Sequence, residues 1–274
     1  MEDFPQAQES LEDEKIEGSF DLLKEVTSIS SAARMKGMLK RRWPLNEAII
    51  CVEKGQKEKL ESLSDLLVAQ LNVEKFNVIE IENKEGYKLV LELKSLGVPA
   101  EGRVVPITSK IGPKAKQHMN SLLPILNETH PDKIIQNLHE KGEVVFEIDD
   151  SKIVLVEDDF TIFPGAKKGY AIALRDGIIV FISIERDQEM RAKGLVKDLA
   201  RRLQTLRKKR GYKPTDILNV ASILDLDDDS LGMLKEREKE LAFLVRVKQV
   251  SFTESCKEYN DDDIDGKKIR ISVE

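Results

Sequence analysis

The segment KGLVKDLARRLQTLRKKRGYKP, residues 193–214, reads as one long amphipathic helix and its exit. Ala192, Leu195, Val196, Leu199, Leu203 and Leu206 recur at the 3.6-residue period of a single helix face, which predicts a helix over about 187–209. Gly211 stands where a helix-ending glycine belongs. The exposed side of this helix is basic and ends in four consecutive cations, Arg207 to Arg210. Over residues 191–213 ten cations face Asp198 alone, a net of +9 in a chain whose formal net charge is -6. Cations suit helix C-termini, and many charge runs are merely solvated faces. A field this concentrated is also what a polyanion requires, whatever the total charge.

Working outward, the 274 residues suffice for one large domain or two smaller ones, and 41% hydrophobic content supports a packed core. Cys51 and Cys256 lie far apart, suggesting neither a disulfide framework nor a zinc site. No apolar run approaches the roughly 20 residues that cross a bilayer, and no secretory signal is visible. No membrane partner and a cytoplasmic location are therefore expected. Residues 1–21 carry a net charge of -7, and residues 1–16 read as an extended lead-in.

A helix is expected from about 19 to 39, stopping near Pro44. A strand at 48–53, a helix at 56–71 and strands at 76–82 and 87–93 follow. Gly112-Pro113 opens a helix through SLLPILNE, which Pro124 should break or kink. PDKIIQNLHEK, from Pro131, forms another. Residues 143–184 are strand-rich, with a hairpin turn at Asp176-Gly177. After the basic helix come a strand at 217–223, a helix at 230–247, and strands in KQVSFTE and KKIRISVE.

Residues 46–93 thus show the β-α-β-β order that 217–274 repeats, and each copy follows a helix ending in a basic run and a proline, KRRWPL at 40–45 and KKRGYKP at 208–214. The fold class is α+β: a long N-terminal helix, then two β-α-β-β-like units linked by a strand-rich middle and a basic amphipathic helix. The expected division is 1–45, an acidic lead-in and helix; 46–186, a mixed α/β junction domain; and 187–274, the basic helix and C-terminal unit.

SISSAARMKGMLKRRWPL at 28–45 resembles the end of the anticodon-binding helical domain of isoleucyl-tRNA synthetases. GYAIALRDGIIVFISIERDQEMRAKGLVKDLARRLQTLRKKRGYKPTDILNV at 169–220 is similar to that family's C-terminal domain, and SKIGPKAKQHM at 109–119 to its LGP-plus-basic segment. SIERDQEM and Lys193 depart from the family pattern at the approach to the helix. Class I synthetases carry a His-x-Gly-His-type motif and a KMSKS-type loop; His118, His130 and His139 do not form the former, and ITSKIG is not the latter. The resemblance therefore implies a detached C-terminal part that is no enzyme on its own and binds no cofactor, ATP belonging to the missing catalytic domain. It implies tRNA(Ile) as partner, with the N-terminal catalytic part of the synthetase as a second. The alternative is a protein-interaction module that docks on a synthetase without touching RNA.

An anticodon-side module needs cations for phosphates and groups that reach unstacked bases. Lys197, Arg201, Arg202, Lys208, Lys209 and Arg210 form one candidate patch; Lys40, Arg41 and Arg42, beside Trp43, form a second. Trp43, the only tryptophan, is read as packing rather than stacking. Lys110, Lys114 and Lys116 are a weaker third patch. Asp261, Asp263 and Asp265 have calcium-loop spacing, but Ser272 stands where a bidentate Glu is required, so a solvated turn is expected. Asp227 to Asp229 read as N-capping charge.

Overall fold

A computed structural model describes residues 13–274. The chain forms two compact units. One contains the residues up to Met38, Glu47–Leu71 and Lys75–Ile184; the other contains Leu39–Asn46, Asn72–Glu74 and Glu185–Glu274. The mixed α/β character read from the sequence is present throughout.

Most of the expected lead-in, residues 1–12, lies outside the described residues. Residues 14–16 are helical, because Asp13 caps the helix by accepting from the backbone N–H of Lys15 and Ile16. This helix, α1 (Glu14–Lys36), buries Leu22, Leu23, Val26, Ile29 and Ala33. It ends before the expected Leu39, at Gly37 and a left-handed Met38 (φ 53°). β1 (Leu45–Glu53) follows, then α2 (Lys57–Glu61) and α3 (Ser64–Leu71), which replace the single expected helix. The Ser62 hydroxyl donates to the Lys59 carbonyl at the break. β2 (Val73–Ile81) comes next.

The strand expected at 87–93 is instead α4 (Gly86–Ser95), with Val90 and Leu93 buried on one face. It opens a long intervening segment: β3 (Ala100–Pro106), α5 (Thr108–Ala115), α6 (Met119–Glu128), α7 (Pro131–Lys141), β4 (Glu143–Ile148), β5 (Ser151–Val156) and β6 (Phe160–Ala166). α5 begins before the expected Gly112-Pro113 start and keeps Pro113 inside, while α6 continues through Pro124. β3 pairs with β6 and β4 with β5, both antiparallel, and Val90, Ile111, Leu122, Ile134, Leu138 and Leu155 share the segment's core.

The hairpin β7 (Tyr170–Arg175) and β8 (Ile178–Ser183) then returns to the first sheet, whose order is β2-β1-β8-β7. β1 and β8 are antiparallel, and α1 packs on the hairpin. The second unit contains α8 (Gln188–Lys209), β9 (Leu218–Leu224), α9 (Asp228–Glu236), α10 (Glu238–Val245), β10 (Val247–Ser251), β11 (Asn260–Ile264) and β12 (Lys267–Val273). Here too one expected helix, 230–247, is two. Its sheet order is β10-β9-β12-β11, with β9 parallel to β10 and antiparallel to β12.

The two series correspond element by element: a long helix, a strand, two short helices, a strand and a hairpin, with matching strand orders. The third and fourth strands of the first copy are β7 and β8, not residues 87–93, because the segment from α4 to β6 is inserted after β2. Identity accompanies the topology. Lys24, Arg34, Lys36, Leu45, Asn46, Ala48 and Ile50 recur 173 residues on as Lys197, Arg207, Lys209, Leu218, Asn219, Ala221 and Ile223. Buried Leu60, Leu67 and Val73 match Leu234, Leu241 and Val247. Each hairpin turns on a left-handed Asp-Gly pair, Asp176-Gly177 and Asp265-Gly266. Arg34 donates to the carbonyl of Leu71, the last residue of α3, and Arg207 to that of Val245, the last residue of α10. The next residues, Asn72 and Arg246, are both left-handed, and their carbonyls accept from Leu45 and Leu218 at 3.1 Å each.

Candidate nucleic-acid interface

α8 is placed by its apolar stripe. Asp187 caps it by accepting from the Met190 N–H at 2.8 Å, and Val196, Leu199, Leu203 and Leu206 enter the core of the second unit. Gly194 permits a close approach, since an added Cβ would stand 3.0 Å from the Trp43 ring and the ring would have to give way. That ring carries the Arg186 guanidinium at 3.8 Å and the Lys40 ammonium at 4.8 Å from its centroid. Trp43 thus packs against α8 and two cations.

The nine sequence-predicted cations meet different fates. Asp198, the lone acid of the basic segment, is buried with 2% of its side chain exposed and gathers Lys40 at 3.0 Å, Arg42 and the indole N–H of Trp43 at 3.4 Å. Lys40 also pairs with Asp265 at 2.5 Å. Arg202 pairs with Asp262. Arg210 donates to the Val273 and Glu258 carbonyls, the Ser272 hydroxyl and the Asn260 amide oxygen, holding the C-terminal strands. Lys197, exposed, donates to the Asn72 amide oxygen at 3.0 Å. Arg41, Arg201, Lys208 and Lys209 are exposed, and their side chains have no ion-pair or hydrogen-bond partner among the described residues.

Arg42, Arg201, Arg202 and Lys209 nevertheless converge on one cleft of about 360 Å³, with Asp198, Asp261, Asp262, Thr205 and Asn260 in its walls. The guanidinium groups are crowded: burial lowers the Arg42 pKa first, and the charges of Arg201 and Arg202 lower it further. The acids in the walls offset part of this charge, Asp198 and Asp262 by direct ion pairs.

Arg207, counted in the basic run but not among the nine, is buried with 5% exposure. It donates to the carbonyls of Val245, Arg246, Lys213 and Asp216. Its position four residues after Leu203 is the signal that marks it as inward-facing. In the first unit, Lys114 of the third patch pairs with Asp159 at 2.5 Å. The calcium-like spacing falls on strand and turn rather than on a turn alone: Asp261 and Asp263 lie in β11, Asp263 accepts from the Gly266 N–H, and Asp265, in the hairpin turn, is held by Lys40. No helix among the described residues is long and apolar enough to cross a membrane.

No family model matches the chain. It is 26% identical over 251 residues to the isoleucine–tRNA ligase of Sulfolobus acidocaldarius, a stretch covering 91% of this chain and 22% of that protein. Isoleucine–tRNA ligase 2 of Bacillus anthracis is 26% identical over 275 residues, all of this chain and 25% of that protein. The Pyrococcus abyssi ligase is 25% identical over 92% of this chain and 22% of its own length. The chain spans about a fifth to a quarter of the length of these curated relatives. Along nearly its entire length, then, this protein is similar to one segment of the isoleucine–tRNA ligases, the resemblance that its basic helix and proline-containing turn imply.

Proposed function

We propose that this chain is a tRNA-binding module, the anticodon-side C-terminal part of an isoleucine–tRNA ligase, acting in the cytoplasm. It supports aminoacylation of tRNA(Ile), while catalysis and ATP binding belong to other domains of the ligase. The carrying observation is the set of exposed cations on α8: Arg201 and Lys209 line a cleft crowded with guanidinium groups, Lys208 stands beside Lys209, and none of the three has a carboxylate partner among the described residues. Such groups release condensed counterions from a phosphate backbone, giving affinity that falls with salt. Arg41 is a further exposed cation, whereas Lys40, Arg42, Arg202 and Arg210 act mainly by holding the scaffold.

A filter-binding titration of the full chain with tRNA(Ile) transcript from 50 to 200 mM salt tests this. The expected result is saturable binding that weakens steeply with salt; absence of binding, or affinity indifferent to salt, would contradict it. The competing reading, docking on a synthetase without RNA, gains from the internal pairing of Lys40, Arg42 and Arg202. Co-purification with a catalytic synthetase chain free of RNA would favour it.

A further inference from the structure

The end of α8 borders a second groove, of about 610 Å³, which differs in kind from the cleft described above. Its charged lining residues are Arg207, Lys208, Lys213 and Arg246, and it contains no Asp or Glu. Arg207 is buried, yet every acceptor it contacts is a backbone carbonyl; no carboxylate neutralises it among the described residues. Buried ions are normally paired, since desolvation costs several kcal/mol per ion. The side chains of Lys208, Lys213 and Arg246 stand exposed at the rim, without an ion-pair or hydrogen-bond partner among the described residues. The groove therefore holds positive charge that no side chain among the described residues pairs with. Its remaining walls are Gln204, whose amide donates to the Leu244 carbonyl, and the apolar surfaces of Tyr212, half-buried against the core of the second unit, Pro214 and Leu244.

Charge of one sign beside an aromatic face selects a ligand that is anionic at one end and planar at the other. We infer that this groove is a subsite for one unpaired nucleotide of an RNA strand, with the base against Tyr212 and its phosphates among Lys208, Lys213 and Arg246. The inference rests on the RNA-binding reading and names the part of the RNA this groove holds. Comparison of the copies supports specialisation here. Arg207 and Lys213 have cationic counterparts in Arg34 and Lys40, but the positions of Lys208, Tyr212 and Arg246 correspond to Met35, Leu39 and Asn72, which offer neither charge nor aromatic ring.

The test is fluorescence anisotropy on the full chain with two probes, tRNA(Ile) transcript and a single-stranded uridine hexamer. Tyr212→Leu, which keeps apolar bulk, is expected to weaken hexamer binding about tenfold, and Tyr212→Phe to restore it. Lys213→Ala combined with Arg246→Ala is expected to flatten the log affinity against log salt slope by about 1 to 1.5. Arg201→Ala combined with Lys209→Ala, in the other cleft, should weaken tRNA binding while leaving the Tyr212 effect intact. If the wild-type chain binds tRNA but the groove variants match it on both probes, the subsite is overturned and the RNA reading stands. Failure of the wild-type chain to bind tRNA would overturn the RNA reading itself. Groove variants that keep RNA affinity but lose association with a catalytic synthetase chain would assign the groove to protein docking and overturn the proposal.

Discussion

The helices α1 and α8 begin equivalent series of elements, and they have diverged in what their surfaces hold. Lys24 and Glu25 of α1 correspond to Lys197 and Asp198 of α8. Glu25 is exposed, whereas Asp198 is buried beneath Lys40 and Arg42. Ser28 and Ile29 correspond to Arg201 and Arg202, and Met35 to Lys208. What both keep is the inward arginine near the helix end, Arg34 or Arg207, bound to the last carbonyl of the following helix pair. The comparison separates two jobs of positive charge. An arginine on the apolar stripe organises backbone, while of the cations added on α8 Arg201 and Lys208 are exposed and Arg202 is part-buried against Asp262.

Removing the shared arginine should have the largest effect. Arg207→Met strips the donors from four carbonyls and is expected to cost about 4 kcal/mol in urea unfolding, with RNA affinity falling as well. Arg34→Met should also destabilise, but with RNA affinity unchanged for the chain that remains folded. If Arg207→Met were neutral, the organising role would be wrong.

Next comes the paired acid. Asp198→Ala leaves Lys40 and Arg42 without their buried partner and should cost about 3 kcal/mol, at the low end because both cations are part-exposed. Its counterpart Glu25→Ala, on an exposed face, should stay within about 0.5 kcal/mol. Equal effects would dissolve the distinction between the helices.

Smaller changes are expected at the helix exits. Gly211 (φ 82°) and Met38 (φ 53°) occupy corresponding left-handed positions. Gly211→Ala should lose about 1 kcal/mol, and Met38→Gly should gain a similar amount. Thermal melts of the two variants should therefore move in opposite directions.

At the start of α9, Asp227 accepts from the Ser230 N–H, whereas Gln56 at the corresponding start of α2 makes no side-chain cap bond. The hydrogen bond from Lys267, and then that from the Ser230 N–H, hold the Asp227 pKa well below its usual value. A depressed carboxylate contributes stability above its unfolded pKa of about 4 and loses it as pH falls below that. Asp227→Ala should thus cost about 1 kcal/mol at neutral pH and progressively less in acid. A cost independent of pH would contradict the cap.

Much of this framework was legible in the sequence. The leucine stripe of α8 and the Asp176-Gly177 turn follow from local periodicity and turn chemistry; the repeat was legible only in part, because the hairpin that completes its first copy is β7–β8 and not residues 76–93. Residues 87–93 were not legible, because Leu89, Leu91 and Leu93 alternate like a strand while Val90 and Leu93 are the residues buried on a helix. β11 was concealed by its acids; Asp261 and Asp263 are exposed on an edge strand, where charge is tolerated. The cations were the hardest to sort. Lys40 and Lys208 look alike in sequence, and only the tertiary position of Asp198 and Asp265 separates a structural charge from an exposed one.

The most direct measurement compares the salt dependence of tRNA(Ile) binding for two variants of the full chain. One carries Arg201→Ala, Lys208→Ala and Lys209→Ala on α8; the other carries Lys24→Ala and Lys36→Ala on α1. The α8 variant should flatten the log–log slope by about 2 to 3 and the α1 variant should reproduce the wild type. Equal slopes for all three proteins would contradict the assignment of the polyanion-binding face to α8.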